Sequence, residues 1–471
     1  MRHPPPVPPE FHQAVLELLS AADDALPASW HTMQWVQDLQ DTTDTTSICT
    51  TQHVLKPALN TLQNEKPLLA KTLQLRFRQG MTVREVGQKT HRSPASVQRD
   101  IQTASKHLSR ILWQQEFQAR TQFQRSQLQH LEPPTWQQLF GVGPLIDHLL
   151  PVLTAASGPK TILLTGTGGL GKTSLADYLS RELIARRAFR GFAWISLRPQ
   201  ISLWDTRPHF QANSAQLALE QLFEQLSQQI LGDDALPIPF SLPTLLQRLH
   251  DHLQEKPHFI VIDNLETLNL ATPLLTQLQQ LPASTHILIT SRVSLPQQPQ
   301  LYLQQIPALN QQASLQLLRD QGERRNIVAL RQASQNDLIQ IFHKVGGNPL
   351  ALKLIAGQLH THAISTLLQD LTLARGTQIQ RLYHYIFQRA WDHLSPVTRQ
   401  IFLATTLLPP AGGSLQHLCA ITQKPEAIVH DALESLVRRN LVHQQHQHQQ
   451  TLYAIHNLTR TFLQQHFQSH P

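Results

Sequence analysis

The stretch that decides the fold is "TILLTGTGGLGKTSLADYL", from Thr161 to Leu179. It joins an apolar, strand-like run to a helical pattern through a glycine-rich loop. Gly166, Gly168 and Gly171 spell G-x-G-x-x-G, the fingerprint of dinucleotide-binding folds. The same Gly166 opens G-x-x-x-x-G-K-[ST], the phosphate loop of ATPases and GTPases. The glycines alone therefore leave both a redox cofactor and a nucleoside triphosphate open.

The residues that follow the glycines favour the triphosphate. Lys172 is placed to reach the β- and γ-phosphates, and the Thr173 hydroxyl is placed to bind Mg²⁺. A dinucleotide fold instead needs an acidic residue about 20 residues further on, or an Arg for a 2′-phosphate. The next strand, "FAWISLRP", has no carboxylate but ends in Arg198, which keeps an NADP site open at this point.

Asp263 decides between the two nucleotides. The run "HFIVIDNLE" ends its apolar part in Asp263, which has the form of a Walker B carboxylate that organises Mg²⁺ and its waters. An aspartate at the end of a buried strand is common, but its combination with the phosphate loop is hard to explain by packing. The sequence thus predicts an ATP/ADP site with Mg²⁺, in which Thr173 and Asp263 hold the metal. The predicted phosphate-binding residues are Gly166, Thr167, Gly168, Gly169, Leu170, Gly171, Lys172, Thr173 and Ser174.

Length and composition indicate several domains in a reducing compartment. A chain of 471 residues with 41% hydrophobic residues is too long for one core. The two cysteines, Cys49 and Cys419, exclude a disulfide framework and a cysteine-rich zinc site. Since neither a signal peptide nor an apolar run of membrane-spanning length is found, we expect a cytoplasmic protein without membrane contact.

Strand-like and helical patterns then divide the chain. The runs "TILLT", "FAWISL", "HFIVID" and "HILITS" alternate with helical patterns, which predicts a parallel sheet buried on both faces. The expected fold class is α/β plus all-α, with a P-loop NTPase sheet domain between helical domains. The predicted segments are an N-terminal helical region of unknown role (1–60), a helix-turn-helix domain (61–118), a linker (119–139), the P-loop nucleotide-binding domain (140–300), a helical domain (301–385) and a winged-helix domain (386–471).

Several motifs resemble those of one ATPase family. The stretches "GTGGLGKTSLA", "GFAWISL", "IVIDNLE", "ILITSR" and "GGNPLALKLIAG" have the order and spacing of the NB-ARC ATPases, within the STAND class of signalling ATPases. Near the end, "LYAIHNLTRTFL" resembles the Met-His-Asp region of that family. The resemblance covers roughly residues 139–465. It implies a slow ATPase that acts as a molecular switch.

The resemblance also implies roles for single residues. Arg292 of "TSR" would be the sensor arginine that reads the γ-phosphate, and it joins Lys172 and Asp263 as a catalytic residue. Pro349 of "GNPL" would pack near the base and sugar. His456 would contact the β-phosphate and lock a closed, ADP-bound state. The alternative roles are a surface cation for Arg292, a helix breaker for Pro349 and a core histidine for His456.

Two positions depart from the family pattern. Val142 stands where the family usually has the Arg of Gly-Arg-Glu, which leaves recognition of the base from that side open. Asn264 follows Asp263, so a second acidic group for activating water is missing there, with Glu266 as a substitute. Both departures favour a slow switch over a fast metabolic enzyme.

Positive charge is concentrated upstream of the linker. The whole chain carries 39 Lys and Arg against 32 Asp and Glu, a balance of +7. From Lys66 to Arg125 there are twelve Lys and Arg against Glu85, Asp100 and Glu116, a balance of +9, so the other residues sum to −2. Localised basicity is typical of a nucleic-acid-binding module, and the alternative is a solvated helical face.

Residues 68–112 have the layout of a helix-turn-helix. Thr82 is the expected cap of a short second helix, and Ser93 the cap of a third helix that begins at Pro94. The predicted core stripe of that helix is Val97, Ile101, Ala104, Leu108 and Ile111. The unit resembles the helix-turn-helix of sigma factors and response regulators, which implies phosphate contacts from Arg76, Arg78, Arg84, Lys89 and Arg92. Base contacts would come from Ser96, Gln98 and Arg99, with Thr103 and Lys106 on the same outward face.

Two functions stay open for the N-terminal unit. One is DNA binding through residues 61–118 in an ATP-switched transcription regulator. The other is recruitment of a partner protein or oligomerisation in a defence-type signalling ATPase. The final winged helix is expected to belong to the nucleotide switch, with "HQQHQHQQ" (443–450) as a solvated turn. Expected partners are a separate sensor protein and further copies of the chain in the ATP state.

Overall fold

The chain folds into two compact units, Met1–Ser126 and Gln127–Pro471. The computed structural model describes residues 4–22, 26–42, 50–155, 157–197, 215–232, 241–265, 271–292, 301–373, 386–388, 390–409, 412–447, 450–456, 458–460 and 462–464. Within these ranges, the helices are each too short or too polar to cross a bilayer.

The first unit is helical and has one hydrophobic core. Its helices are α1 Pro9–Ser20, α2 Gln34–Thr42, α3 Thr51–Glu65, α4 Pro67–Leu73, α5 Val83–Thr90 and α6 Pro94–Leu128. Phe11, Trp30, Leu62, Val97 and Leu108 all belong to the same buried cluster. The predicted regions 1–60 and 61–118 therefore do not form separate cores. Phe11 of α1, for example, packs edge-on against Trp113 of α6, with the ring centroids 5.0 Å apart.

A buried carboxylate helps to join the early helices to α6. Glu116 of α6 is 1% exposed and accepts hydrogen bonds from the backbone N–H groups of Gln34 (3.0 Å) and Trp35 (2.9 Å). These groups lie at the start of α2, where a negative charge is favoured by the helix dipole. Arg120 pairs with the same carboxylate at 2.6 Å. Glu116 is thus satisfied within the unit, and α6 continues past the predicted domain end at residue 118 into the predicted linker.

The two helix caps predicted for residues 68–112 are present in the structure. Thr82 accepts a hydrogen bond from the Glu85 N–H at 3.3 Å, and the Glu85 carboxylate accepts from the Thr82 N–H at 2.7 Å. Ser93 accepts from the Ser96 N–H at 3.2 Å, where α6 begins at Pro94. The buried face of α6 is Val97, Ile101, Ala104, Leu108 and Leu112, with the predicted Ile111 only partly buried beside it.

The second unit begins with a parallel sheet and its helices. The elements in chain order are α7 Gly143–Thr154, β1 Thr161–Thr165, α8 Lys172–Arg186, β2 Gly191–Ser196, α9 Ala215–Leu231, α10 Leu242–Glu255, β3 His258–Asp263, α11 Ala271–Leu278, β4 His286–Ser291 and β5 Leu301–Gln305. The strand order is β2-β3-β4-β1-β5, and all pairs are parallel. The predicted α/β architecture is confirmed.

Both faces of this sheet are buried, as continuous apolar strands predict. Ile260, Ile262 and Ile289 pack with α9, α10 and α11 in one core. The alternate residues Phe259 and Val261 are equally buried, and α8 packs against β3 and β4. Since successive side chains of a strand point to opposite faces, Asp263 lies on the same face as Val261, the face opposite that core.

The strand β5 corrects one predicted boundary. Residues from 301 onward were expected to be helical, but Leu301–Gln305 pairs in parallel with β1. The sheet therefore extends beyond residue 300. Its sequence, "LYLQQ", is short, and its residues are mostly half-exposed. Such a strand lacks the apolar run that identifies the other four strands.

The rest of the second unit is helical and ends in a winged helix. The elements are α12 Gln311–Arg324, α13 Val328–Gln332, α14 Gln335–Val345, α15 Pro349–Gln358, α16 Ile364–Leu373, α17 Pro396–Ala404, β6 Gly413–Ser414, α18 Leu415–Thr422, α19 Glu426–Arg438, β7 His443–Gln447 and β8 Gln450–Ala454. Leu317, Leu352, Phe402, Leu433 and Phe462 share one core, so the predicted segments 301–385 and 386–471 pack together.

The winged helix corrects the expected turn at 443–450. His443–Gln447 is the strand β7, which pairs in antiparallel register with β8, and β6 pairs with the other side of β8. Pairing with the apolar partner strand keeps these polar residues extended. Residues 448 and 449 lie outside the described ranges. His443 consequently belongs to the folded body of the unit.

Candidate functional site

The glycine-rich loop joins β1 to α8 at the carboxyl edge of the sheet. Open parallel sheets bind their ligands at this edge. Gly169 and Gly171 have φ angles of 79° and 90°, in the left-handed region that favours glycine. Gly171 immediately precedes α8, whose first backbone N–H groups have no partner within the helix and face the loop. The predicted residues from Gly166 to Ser174 thus form a loop and helix N-terminus suited to phosphate.

Lys172 stands at the first position of α8 and turns back onto the loop. Its Nζ donates to the carbonyl oxygens of Gly166 at 2.7 Å and Thr167 at 2.9 Å. An ammonium group has three donors, and these contacts hold the charge at the loop itself. The predicted phosphate-binding lysine therefore lies where its charge faces the space enclosed by the loop.

Asp263 and Thr173 meet in a buried network of oxygen atoms. The Thr173 hydroxyl donates to Asp263 Oδ1 at 2.7 Å, and Thr290 donates to the same oxygen at 2.6 Å. The Asn264 N–H donates to the Thr290 hydroxyl at 2.9 Å. A carboxylate beside a hydroxyl is a hard oxygen donor set of the kind that Mg²⁺ prefers. The predicted metal residues are thus brought together, and they fit the ion.

Thr290 is a site residue that the motifs did not single out. Ile262 pairs with Ile289, so the next residues on β3 and β4, Asp263 and Thr290, are cross-strand neighbours. Period-two alternation from Val261 and Leu288 would have placed both on one face. The signal was available in "HILITS", but it becomes usable only once the pairing register is known.

Arg292 lies at the edge where the loop emerges. Ser291 pairs with Thr165, and Arg292 follows it directly in a partly buried position. Arg292 is not one of the described residues that line the cavity beside the loop. Arg198 and Glu266, which bore on the cofactor and on water activation, lie outside the described ranges.

The helical part of the second unit reaches the loop through the "GGNPL" segment. Asn348 Nδ2 donates to the Gly168 carbonyl at 2.9 Å, and the Leu350 N–H donates to the Gly169 carbonyl at 3.3 Å. Asn348 also caps α15, since its Oδ1 accepts from the Leu350 N–H at 3.1 Å. Pro349 occupies the first position of that helix. Asn348 was not predicted as a site residue, although an asparagine before a helix-starting proline signals a cap.

The winged helix reaches the loop from another side. A cavity of about 100 Å³ beside the loop is lined by Gly169, Ser174, Pro349 and His456, among others. The Leu458 side chain packs on the loop, with its Cδ1 3.1 Å from where a β-carbon on Gly168 would stand. The His456 ring is oriented by the Leu458 N–H, which donates to Nδ1 at 3.2 Å. Predicted residues from the loop, the helical part and the winged helix therefore share one cavity.

The segment before α7 closes this cavity, and a buried carboxylate holds it in place. Trp136 Nε1 donates to Asp177 Oδ2 at 2.7 Å, and Arg181 Nε lies 2.9 Å from the same oxygen. Burial raises the pKa of Asp177, while Arg181 and Trp136 act in the opposite direction. Trp136, Phe140 and Val142 line the cavity, so the site of the missing family arginine is apolar here.

The predicted DNA-contacting residues lie in the first unit, mostly exposed. Arg84, Lys89, Gln98, Arg99, Thr103 and Lys106 are exposed, and Ser96 is half-buried. Arg92 pairs with Asp100 at 2.6 Å, which reduces its availability to a phosphate. Arg76 donates to the Met81 carbonyl at 3.0 Å and so also serves the loop between helices. The contacts of these residues with DNA stay a prediction.

A family model described as an AAA domain matches residues 155–296. The match contains the glycine-rich loop, Asp263 and Arg292. This part of the chain is a P-loop ATPase domain, which implies nucleotide binding.

Two curated plant proteins match shorter segments. Probable disease resistance RPP8-like protein 4 of Arabidopsis thaliana is 24% identical over 147 residues, covering 31% of this chain and 14% of that protein. Disease resistance RPP8-like protein 3 of the same plant is 30% identical over 79 residues, covering 15% of this chain and 9% of that protein. The chain thus matches well under two thirds of either relative. The domain match and these relatives support the NB-ARC/STAND type of ATPase that the motifs predict.

Among solved structures, a signal transduction ATPase with numerous domains (STAND) from Pyrococcus horikoshii, which carries a tetratricopeptide repeat sensor, aligns with 70% of this chain and 43% of its own. The identity is 14% and the TM-score is 0.45.

Proposed function

We propose that the chain is an ATP/ADP-dependent STAND-type switch whose nucleotide state controls a DNA-binding helix-turn-helix, in transcription regulation. Mg²⁺ held by Thr173 and Asp263 supplies positive charge next to the outer phosphates, and Lys172 binds those phosphates. Arg292 is the proposed sensor of the γ-phosphate, and the hydrolysis that Lys172, Asp263 and Arg292 support is slow. Further copies of the chain in the ATP state and a separate sensor protein are the proposed partners.

One observation carries the switch. The loop is contacted by Asn348 of the helical part and by Leu458 of the winged helix, and His456 lines the same cavity. A ligand changes a conformational equilibrium only if it interacts differently with the two states. In the proposed closed state, ADP is bound and His456 faces the nucleotide site. A γ-phosphate adds volume and charge next to the loop, which favours a rearrangement of the surrounding parts.

His456→Ala is expected to release ADP faster, by roughly tenfold, because one hydrogen bond to a charged group is lost. The measurement is displacement of a fluorescent ADP analogue from the full chain by excess ADP. His430→Ala, an exposed histidine on α19, is the matched control. An unchanged release rate in His456→Ala would remove the locking role and leave His456 as a packing residue.

The DNA-binding output is supported by the basic segment and by the exposed face of α6. Arg99 and Lys106 lie on that face, seven residues apart and so about two helical turns. Residues with this spacing on one face can contact successive phosphates along a groove. Gln98 and Thr103 next to them offer donors and acceptors for base edges.

We expect the full chain to bind duplex DNA with an affinity that falls steeply as salt rises. The double variant Arg99→Ala/Lys106→Ala should make the dependence of log K on log salt less steep, reducing the magnitude of the negative slope by about 2, since each phosphate contact contributes about 0.9. Fluorescence anisotropy with ADP and with ATP gives both the slope and its nucleotide dependence. Lys56→Ala, exposed on α3, is the control. Binding that is absent or insensitive to salt in both nucleotide states would favour the partner-protein function instead.

A further inference from the structure

A second and larger cavity adjoins the loop cavity. It measures about 610 Å³, within the range of roughly 300–1,000 Å³ typical of ligand sites. Its walls come from residues 133–138, α12, α15, α19 and β7. Lys353 of α15 and His443 of β7 line both cavities. A ligand here would therefore lie next to a nucleotide bound at the loop.

The charged groups of this cavity do not balance. Arg324 pairs with Asp320, and Arg438 pairs with Glu434 at 2.8 Å. Lys353 and Arg325 also line the cavity, and neither has a carboxylate partner among the residues that the structure describes. Arg325 instead donates to the Val437 carbonyl at 2.5 Å and to Gln321 Oε1 at 3.2 Å. The cavity carries an excess of two positive charges.

Lys353 is the more unusual of the two cations. Among the described residues it has no hydrogen-bond or ion-pair partner for its ammonium group, although it is partly buried. Burial lowers its pKa, Arg325 lowers it further, and Asp320 opposes both. A buried cation without a partner is costly, and an anion bound in this cavity would supply the missing partner of Lys353.

The other polar groups that line the cavity are uncharged, and they include the imidazole of His443 and the side-chain amides of Asn440 and Gln445. Burial, and then Lys353 and Arg325, lower the pKa of His443 to about 3, so its ring is uncharged at neutral pH. Asn440 Nδ2 donates to the Lys353 carbonyl at 2.6 Å, whereas its Oδ1 is buried without a hydrogen bond. Gln445 Oε1 is likewise buried and unpaired. His443, Asn440 and Gln445 therefore do not neutralise the two cations.

We propose that this cavity binds a phosphate-bearing group through Lys353 and Arg325, next to the nucleotide at the loop. Two sources have this chemistry. One is a separate small anion that binds beside ADP, and the other is an additional phosphate on the ribose of the nucleotide itself. The inference extends the proposed nucleotide site, but its residues are distinct from those that hold the loop phosphates.

The experiment uses the full chain and isothermal titration calorimetry with two probes. In the first arm, inorganic pyrophosphate is titrated into chain saturated with ADP. In the second arm, ADP that carries a 3′-phosphate is compared with ADP alone. Binding of pyrophosphate identifies a separate anion, and tighter binding of the 3′-phosphorylated nucleotide identifies the ribose phosphate. Either gain should be weakened about tenfold or more by Lys353→Met, because a hydrogen bond between charged groups is lost.

Arg325→Gln serves as a second variant, and Lys424→Met, which lies outside both cavity walls, is the matched control. Lys353→Met is expected to fold at least as stably as the parent, since it removes a partly buried, unpaired cation. The proposal is overturned if neither probe shows a gain, or if the gain survives both Lys353→Met and Arg325→Gln. Should ADP itself fail to bind, the nucleotide site fails. Pyrophosphate titrated into Lys172→Ala, where the loop is disabled, still tests the second cavity.

Discussion

Replacing Lys172 by alanine is expected to weaken the binding of both ADP and ATP by about a hundredfold or more, because a partly buried phosphate loses its charge partner. The variant also loses the hydrogen bonds of the Lys172 ammonium group to the carbonyl oxygens of Gly166 and Thr167, whereas the loop contacts of Asn348 and Leu350 are retained. Calorimetric titration of both nucleotides into the full chain measures the loss. Lys160→Ala, an exposed lysine just before β1, is the control. Affinity retained in Lys172→Ala would disprove the phosphate-loop assignment.

The second large effect is expected for Asp263→Asn. The amide keeps the size of the side chain and still accepts hydrogen bonds from Thr173 and Thr290, but it carries no charge for Mg²⁺. ATP hydrolysis should therefore fall by about a hundredfold or more, as expected when the charge stabilisation by the metal is lost. ADP binding measured in EDTA should stay within about threefold of the parent, since a factor of three is well under 1 kcal/mol.

Phosphate release and titrations with and without Mg²⁺ check both parts of this expectation. Asp251→Asn, exposed on α10, is the control for a charge change in the same unit. Hydrolysis that remains dependent on Mg²⁺ in Asp263→Asn would show that another group holds the ion. A loss of binding even in EDTA would instead indicate that Asp263 is needed to hold Thr173 and Thr290 in place.

The central sheet could be predicted from the sequence because its strands are buried on both faces. "TILLT", "HFIVID" and "HILITS" match β1, β3 and β4 to the residue. The strand β5 was missed because "LYLQQ" has no continuous apolar run and its side chains are only partly buried, whereas the other edge strand, β2, is apolar and buried. Thr82 and Ser93 were predicted as caps because capping depends on residues only three positions apart.

The parts of the site that the sequence could not predict depend on long-range packing. Asn348 reaches a carbonyl of Gly168, 180 residues earlier in the chain. The sequence pattern predicts a polar turn at His443, yet this residue lines two cavities from within a strand. Lys353 lies in an apolar helix, and the sequence around it gives no sign that its ammonium group faces a cavity. Motif patterns identify residues that act locally, whereas these contacts appear only when separate elements pack together.

The packing of Leu458 on the loop explains why the sequence fits two glycine patterns. A dinucleotide-binding loop has its second glycine so that the pyrophosphate can approach the backbone. Gly168 is not among the glycines with positive φ, and the space that a side chain there would need is taken by Leu458. The absence of a side chain at Gly168 therefore leaves room for a neighbouring part of the same chain. The likeness to a redox-cofactor fingerprint arises from self-packing and carries no information about the cofactor.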